Sequence, residues 1–145
     1  TAGLRDSIGD IVYNLRALQQ MEVDLIFDKV LEQQLNDDEK LTIYRIIQEL
    51  VNNIIKHAYA TEAIIQINRD ANRLSLVIED NGRGFDTKEA DEKRSMGMAT
   101  VKSRVDYLNG RLSIDSRKDI GTTVMIDLLL NEQKAWEQLL FHLSC

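Results

Sequence analysis

Apolar residues recur at helical spacing in three segments of the chain. They occupy every third or fourth position from Leu4 to Leu18 and again from Glu39 to Ala58, where Asn36-Asp37-Asp38 supplies candidate N-caps. Apolar residues three and four positions apart share one face of a helix, so both segments are predicted to be helical. A third helix is predicted from about Met98 to Asn109-Gly110, a pair typical of helix C-caps.

Shorter segments, most of them with apolar residues at alternate positions, predict strands. These are Met21 to Phe27, Ala63 to Asn68, Leu74 to Glu79, Arg111 to Ser116 and Thr122 to Leu130. The second and third, and likewise the last two, are separated by short turns, so each pair is predicted to form an antiparallel hairpin. The order of the elements predicts an α+β fold: a two-layer α/β sandwich with one mixed, mostly antiparallel sheet and helices on one face.

Composition narrows the class of protein. The chain has 145 residues, of which 43% are hydrophobic, enough for one domain with its own core. The net charge of −6 argues against a general nucleic-acid binder, which needs a basic surface. Cys145 is the single cysteine, so an internal disulfide is excluded and a reducing compartment fits. Because the numbering starts without Met, we expect a fragment of a longer protein.

A polar edge runs along the second predicted helix. At about 100° per residue, Glu49, Asn53 and Lys56 fall within about 60° of each other beside the apolar stripe, and His57 lies between the two faces. A carboxylate, an amide and an ammonium therefore line the edge of the buried face. The alternative is a solvated helix side, where such contacts contribute roughly 0.2–0.5 kcal/mol per pair.

The motif Asp80-Asn81-Gly82-Arg83-Gly84-Phe85 follows the third predicted strand. Asp80 continues the apolar phase of that strand, so its carboxylate is predicted to face inward, where it needs a donor such as the exocyclic amine of a purine. Gly82 and Gly84 allow backbone to approach a ligand closely. Thr122 is predicted to face inward on its own strand and to meet Asp80. The alternatives are a capped tight turn and the ordinary strand preference of threonine.

Ser95-Met96-Gly97-Met98 is predicted to open the third helix. Free N–H groups and the positive end of the helix dipole at such a start suit phosphate. The charged segment Asp86 to Ser95, which has no apolar periodicity, is predicted to be a mobile lid over a nucleotide. An ordinary loop before a helix is the alternative.

Together, these motifs resemble the GHKL ATPase superfamily, and specifically the catalytic ATP-binding domain of sensor histidine kinases with its Bergerat-type sandwich. Glu49 to Ala58 resembles the family's N box, and Asp80 to Phe85 resembles its G1 box. Met96-Gly97-Met98 and Gly121-Thr122-Thr123 resemble the second and third glycine boxes. The lead-in Leu41 to Glu49 is similar to the nitrate-sensor and lipid-desaturation-sensor subfamily.

The resemblance implies ATP and Mg²⁺ as the bound groups and assigns the site. The nucleotide-binding residues that it implies are Asn53, Lys56, His57, Asp80, Gly82, Gly84, Phe85, Gly97, Met98 and Thr122. Asn53 is expected to ligate Mg²⁺, and Glu49 to be the catalytic acid–base or water-ordering residue beside it. Asp80 is expected to accept from the adenine amine with support from Thr122.

For the remaining positions, the resemblance implies a phosphate contact for Lys56 and a place at the nucleotide's border for His57. Gly82 and Gly84 are expected to shape the adenine pocket and Gly97 the phosphate loop. Ser95 departs from the family pattern, because it stands where the second glycine box usually has its first glycine.

The resemblance also implies a modular, dimeric kinase. Residues 1–20 are expected to be a remnant of the second helix of a dimerisation hairpin, residues 21–130 the ATP-binding domain, and residues 131–145 a tail that can form a helix. Neither His57 nor His142 is an acceptor candidate, so the phosphoacceptor is expected on the absent hairpin. A response regulator is the expected partner, the domain is expected in the cytoplasm, and the full-length protein is a candidate for membrane anchoring.

Three other functions remain open from the sequence. One is a serine kinase of the anti-sigma-factor type in the same superfamily. Another is a non-kinase ATPase switch, as in gyrase, MutL or chaperone ATPases, in which Glu49 activates water. The third is a domain that has lost catalysis and only mediates interactions, an alternative that the departure at Ser95 keeps open.

Overall fold

The computed structural model describes residues 3–86 and 92–130, with the side chains of 92–95 left undescribed. Its helices are α1 (Leu4–Leu18), α2 (Leu31–Gln34), α3 (Asp37–Asn53), a π-helical turn (Ile54–Ala58) and α4 (Glu92–Tyr107). Its strands are β1 (Glu22–Phe27), β2 (Glu62–Asp70), β3 (Arg73–Asp80), β4 (Arg111–Arg117) and β5 (Gly121–Leu129). The predicted tail helix at 131–145 lies outside the described residues.

The strands form one five-stranded sheet in the order β1-β2-β3-β5-β4. β1 is parallel to β2, and the other three neighbouring pairs are antiparallel. Both predicted hairpins, β2–β3 and β4–β5, are therefore confirmed, as is the mixed, mostly antiparallel sheet. The register sets Asp80 opposite Thr122 and Thr122 opposite Ser116. These three residues therefore form one row across β3, β5 and β4 at one end of the sheet.

Burial alternates along the strands, so the sheet has a covered and an open face. On β2, Ile65 and Ile67 are fully buried while Ile64, just before them, is exposed, and Met125 on β5 is likewise exposed. Because strand side chains alternate between faces, the buried set lies on one side. Helix residues that are fully buried, among them Ile8, Ile43, Ile46 and Ile47, belong to the same core cluster. The prediction of helices on one face is confirmed.

α3 starts at the predicted cap but does not continue as an α-helix to Ala58. Asn36 accepts from the Glu39 N–H at 2.7 Å, and the Glu39 carboxylate accepts from the Asn36 N–H at 3.0 Å, which is a complete capping box. After Asn53 the chain forms a π-helical turn, and Tyr59 follows in the left-handed region with φ of 51°. π-Helical turns often occur at functional sites. This one turns the carbonyl of Ala58 toward the loop after β3, whose Arg83 N–H donates to it at 2.7 Å.

The prediction that the third long helix starts at Met98 is wrong. α4 begins at Glu92, so Gly97 lies within the helix and not at its N-terminus. The physical reason is propensity: Glu92, Lys93 and Arg94 belong to residue types that favour helix, and such residues can extend a helix without apolar periodicity. The predicted phosphate site at a helix N-terminus formed by Ser95 to Met98 is corrected accordingly.

No helix within residues 3–86 and 92–130 has both the length and the apolar character that crossing a bilayer requires.

Candidate nucleotide-binding site

A cavity opens between the C-terminal end of α3, the covered face of the sheet and the loop after β3. It encloses about 480 Å³ of empty space, part of it open to solvent. Its lining residues are Leu50, Asn53, Ile54, Ala58, Ile78, Asp80, Gly84, Phe85, Met98, Ile114, Thr122 and Val124. Most of these are apolar, and the polar side chains are those of Asn53, Asp80 and Thr122. Apolar walls with a few placed polar groups are typical of small-molecule sites.

Asp80 is the carboxylate of this cavity. It is the last residue of β3, occupies the inward phase of the strand and is only 8% exposed. Its Oδ1 accepts from the Gly82 N–H at 2.8 Å, so the loop itself holds the carboxylate in place. Burying a carboxylate is costly unless donors surround it, and a ligand that supplies a further donor would therefore be favoured here. The inward orientation predicted for Asp80 is confirmed.

The hydroxyl of Thr122 belongs to a small network beside Asp80. Thr122 Oγ1 lies 2.7 Å from Ser116 Oγ on β4. Ser116 Oγ also accepts from the Phe85 N–H at 2.9 Å and lies 3.4 Å from the carbonyl oxygen of Gly121. The predicted meeting of Thr122 with Asp80 is confirmed by their direct pairing between β3 and β5. Ser116 was not among the predicted site residues. Its position two residues after Ile114 on β4 indicates that both side chains lie on the same, inward face.

The loop after β3 is fastened at several points. The side chain of Asn81 accepts from the N–H groups of Thr61 and Glu62, both at 2.9 Å. Arg83 stacks on the ring of Tyr59 at 4.9 Å from its centroid, and its Nε donates to the carbonyl of His57 at 2.5 Å. The loop is thereby tied to the π-helical turn by Arg83 and to the start of β2 by Asn81.

The glycines of this loop sit where no side chain fits. A Cβ on Gly82 would lie 2.3 Å from the carbonyl oxygen of Ala58, and one on Gly84 would lie 2.0 Å from that of Arg117. Gly84 also has φ of +57°, a conformation that glycine adopts far more readily than other residues. Gly82 and Gly84 were predicted to let the backbone approach a ligand closely. In the structure, they let the loop pack closely against the protein's own backbone.

A pair of side-chain oxygens faces α4 from α3. The point where Gly97 would carry a Cβ lies 2.8 Å from Glu49 Oε1 and 3.1 Å from Asn53 Oδ1. The Asn53 amide nitrogen donates to the sulfur of Met98 at 3.6 Å, which leaves its oxygen as the acceptor. Glu49 and Asn53 are thus brought together as predicted, and Gly97 provides the space beside them.

Two predicted nucleotide-binding residues, Lys56 and His57, do not line the cavity. Lys56 is exposed and does not line the cavity, and His57 is half-buried and contributes its carbonyl to Arg83. A π-helical turn holds more residues than an α-helical one, so the predicted alignment of Lys56 with Glu49 and Asn53, based on α-helical spacing, does not apply.

The fold and the cavity define an α/β-sandwich domain with a mostly apolar cavity that carries three polar side chains. Residues 38–132 match the family described as histidine kinase-, DNA gyrase B-, and HSP90-like ATPase, and the chain belongs to this family.

Two relatives within the family carry the names of histidine kinases. The chain is 38% identical over 102 residues to the signal transduction histidine-protein kinase/phosphatase DegS of Bacillus subtilis, which covers 69% of this chain and 26% of DegS. It is 39% identical over 94 residues to the sensor histidine kinase ComP of the same organism, covering 64% of this chain and 12% of ComP. The chain therefore spans about a quarter or less of these relatives.

Solved structures show the same fold. The blue-light activated histidine kinase of Erythrobacter litoralis EL346 superposes with a TM-score of 0.75 at 21% identity, over 92% of this chain and 43% of that one. At this identity the likeness establishes the architecture, and the assignment of roles to residues rests on the site itself.

Proposed function

We propose that this chain is the catalytic domain of a two-component sensor histidine kinase, which binds MgATP and transfers its γ-phosphoryl group to a histidine on a separate helical hairpin. The observation that carries the proposal is one cavity that holds a buried carboxylate, Asp80, at the sheet and an amide oxygen, Asn53, at the end of α3. The first suits a purine amine, and the second suits a metal that bridges phosphates.

The adenine end of the site is assigned to Asp80 and its neighbours. Asp80 accepts from the exocyclic amine, a hydrogen bond to a charged acceptor that contributes roughly 1.5–3 kcal/mol. Thr122 lies in the same row and completes the polar edge. Phe85 and the apolar residues of the cavity wall supply the surface for the ring, and Gly82 and Gly84 hold the loop close.

The metal end of the site is assigned to α3. Mg²⁺ prefers hard oxygen ligands, retains waters and is usually bound by one or two protein groups together with substrate phosphates. Asn53 Oδ1 and Glu49 Oε1 near Gly97 fit that description. Within the described residues, no group of three or more His, Cys, Asp or Glu side chains could hold a metal. The ATP phosphates are proposed to supply further ligands. Asn53 is the proposed ligand and Glu49 the residue that orients water or polarises the acceptor.

The phosphate side is assigned to residues around these two. Lys56 is exposed in the π-helical turn and is proposed to contact the phosphates with its long side chain, and His57 is proposed to border the nucleotide. Gly97 leaves room beside the metal, and Met98 lines the cavity while it fixes the Asn53 amide. Phosphoryl transfer is mostly positioning and charge stabilisation, which suits a site with few reactive side chains.

The proposal places this chain within a longer, dimeric protein. The α1 segment, within residues 1–20, is the proposed end of the hairpin that carries the acceptor histidine, and a response regulator takes the phosphoryl group from that histidine. We place the domain in the cytoplasm, where ATP and the regulator are found, and the full-length protein remains a candidate for membrane anchoring. No nucleic-acid role is proposed for a chain with a net charge of −6.

The test is transfer of labelled phosphate. The chain is mixed with a dimerisation-hairpin fragment of a related kinase, Mg²⁺ and ATP labelled at the γ position, with Asp80→Asn as the binding-deficient control. The expected product is acid-labile label on the hairpin histidine with the wild-type chain and none with the variant. Release of free phosphate without labelled hairpin would favour a hydrolase instead.

A further inference from the structure

Ser116 lies beside the adenine end of the site without lining the cavity. It is on β4 in the inward phase, half-buried, and directly opposite Thr122. On the same strand, Ser113 occupies the open face and is exposed. The two serines therefore share a strand and a residue type but differ in whether they contact the site.

The hydrogen-bond partners of Ser116 limit the directions that its hydroxyl can take. A serine hydroxyl has one hydrogen to donate and two lone pairs to accept. One lone pair accepts the Phe85 N–H at 2.9 Å. The hydrogen has two oxygens in reach, Thr122 Oγ1 at 2.7 Å and the Gly121 carbonyl at 3.4 Å. The shorter distance is the usual one for a hydroxyl-to-hydroxyl bond. Either hydroxyl can donate across it, and donation by Ser116 is the arrangement on which the proposal below is built.

A hydrogen bond donated by Ser116 determines the orientation of the Thr122 hydroxyl. When Ser116 donates, the Thr122 oxygen is the acceptor, and the Thr122 hydrogen then points away from Ser116. Thr122 lines the cavity next to Asp80. The row then presents an acceptor at Asp80 and a donor at Thr122. Adenine has the complementary pair on one edge, an exocyclic amine that donates and a ring nitrogen that accepts.

We propose that Ser116 is a positioning residue for purine selection: it holds the Thr122 hydroxyl as a donor toward the acceptor nitrogen of adenine. The inference deepens the proposed function and rests on it. A 6-oxopurine reverses both groups, because it carries a carbonyl in place of the amine and an N–H in place of the ring acceptor. It meets an acceptor at Asp80 and a donor at Thr122, and a site whose polar groups are left unpaired rejects such a ligand.

The experiment measures the affinities for ATP and for inosine triphosphate by calorimetry. In Ser116→Ala, Thr122 can rotate to accept, so the ratio of the two affinities is expected to fall by about 5- to 10-fold, with ATP weakened and inosine triphosphate little changed. Ser116→Thr keeps a hydroxyl at the same place and is expected to restore the ratio. Ser113→Ala is the matched control and is expected to leave it unchanged.

A double-mutant cycle tests whether Ser116 acts through Thr122. In a Thr122→Val background, Ser116→Ala is expected to have no further effect on the ratio. If Ser116→Ala fails to fold, Ser116→Cys, which keeps the size but donates weakly, is expected to shift the ratio in the same direction. Equal weakening of both nucleotides, or no change, would overturn the inference by making Ser116 structural. A wild-type chain that binds neither nucleotide would instead defeat the proposed function itself.

Discussion

At the scale of single residues, the site depends on close packing between the backbone of the loop after β3 and the backbone of neighbouring segments. Gly84 combines positive φ with a neighbouring carbonyl oxygen, that of Arg117, 2.0 Å from where a Cβ would lie. An added methyl group meets an atom that cannot rotate away, and the loop or the β4–β5 turn must move. Gly9, in the middle of α1, offers the contrast: a Cβ built there meets nothing within 4 Å.

The matched substitutions Gly84→Ala and Gly9→Ala are predicted to have opposite effects. Gly84→Ala is expected to lower the free energy of unfolding by about 1–3 kcal/mol, because a strained backbone and a clash are introduced together. Gly9→Ala is expected to raise it by about 0.5–1 kcal/mol, since alanine favours an α-helix more than glycine does. Urea unfolding followed by circular dichroism measures both. Similar effects of the two changes would contradict the role assigned to the Gly84 backbone.

The orientation of a side chain can be predicted from the sequence only where its helix or strand is regular. The inward orientation of Asp80 and Thr122 follows from the two-residue period of a strand, which a five-stranded sheet preserves. The alignment of Lys56 with Asn53 requires an α-helix, and the π-helical turn removes it. The roles of these residues toward a nucleotide stay predictions.

At the scale of elements, α1 is capped by a residue distant in sequence. Its N-cap, Gly3, has no side chain to accept from the first turn. Instead, the Glu32 carboxylate from α2 accepts from the Arg5 N–H at 2.6 Å and lies 3.3 Å from Lys40 on α3. Local sequence patterns reveal capping residues only within a few positions of a helix end. They could not predict this cap, because Glu32 is 27 positions from Arg5. The start of α4 was missed for the opposite reason: local helix propensity decided it.

The cap makes part of the stability depend on pH. Burial by itself raises the pKa of Glu32, but hydrogen bonds from the N–H groups of Arg5 and Leu4, together with Lys40, outweigh it and lower that pKa below the ordinary value. Since the folded pKa is the lower one, the contribution is full above the unfolded glutamate pKa of about 4.3 and is lost as pH falls through the folded pKa.

Glu32→Gln is therefore predicted to lower the free energy of unfolding by about 0.5–1 kcal/mol at pH 7 and by less at pH 3. The measurement is urea unfolding of the variant and of the wild type at both values of pH. Glu62→Gln, at an exposed position of β2, is the control and is expected to change the free energy by less than about 0.5 kcal/mol. A difference for Glu32→Gln that stays constant or grows toward pH 3 would argue against the cap.

At the scale of the whole molecule, the cavity is built by elements that are far apart in the chain. α3, β3, β5 and α4 each contribute residues to it, and the sheet order places β5 between β3 and β4. The hairpins and the helical layer followed from periodicity, whereas this strand order did not, because local patterns carry no information about which hairpins meet. A ligand that contacts all four elements binds only the folded state, so its binding free energy adds to the stability of the domain.

The thermal stability of the domain then reports the two ends of the site separately. For the wild type, ATP at 100 times its dissociation constant is expected to add about 2.7 kcal/mol to the free energy of unfolding, and Mg²⁺ is expected to increase the effect of ATP. Asn53→Ala is predicted to keep the stabilisation by ATP alone and to lose the increment from Mg²⁺, because Asn53 is the proposed metal ligand. Asn52→Ala, at the exposed neighbouring position, is the matched control and should respond as the wild type does.

Asp80→Asn is predicted to lose both responses, since the adenine amine then has no charged acceptor. Scanning calorimetry with ATP, with and without Mg²⁺, measures all four proteins, and an Asn53→Ala variant that still responds to Mg²⁺ would remove Asn53 from the metal site while leaving the assignment of Asp80 intact.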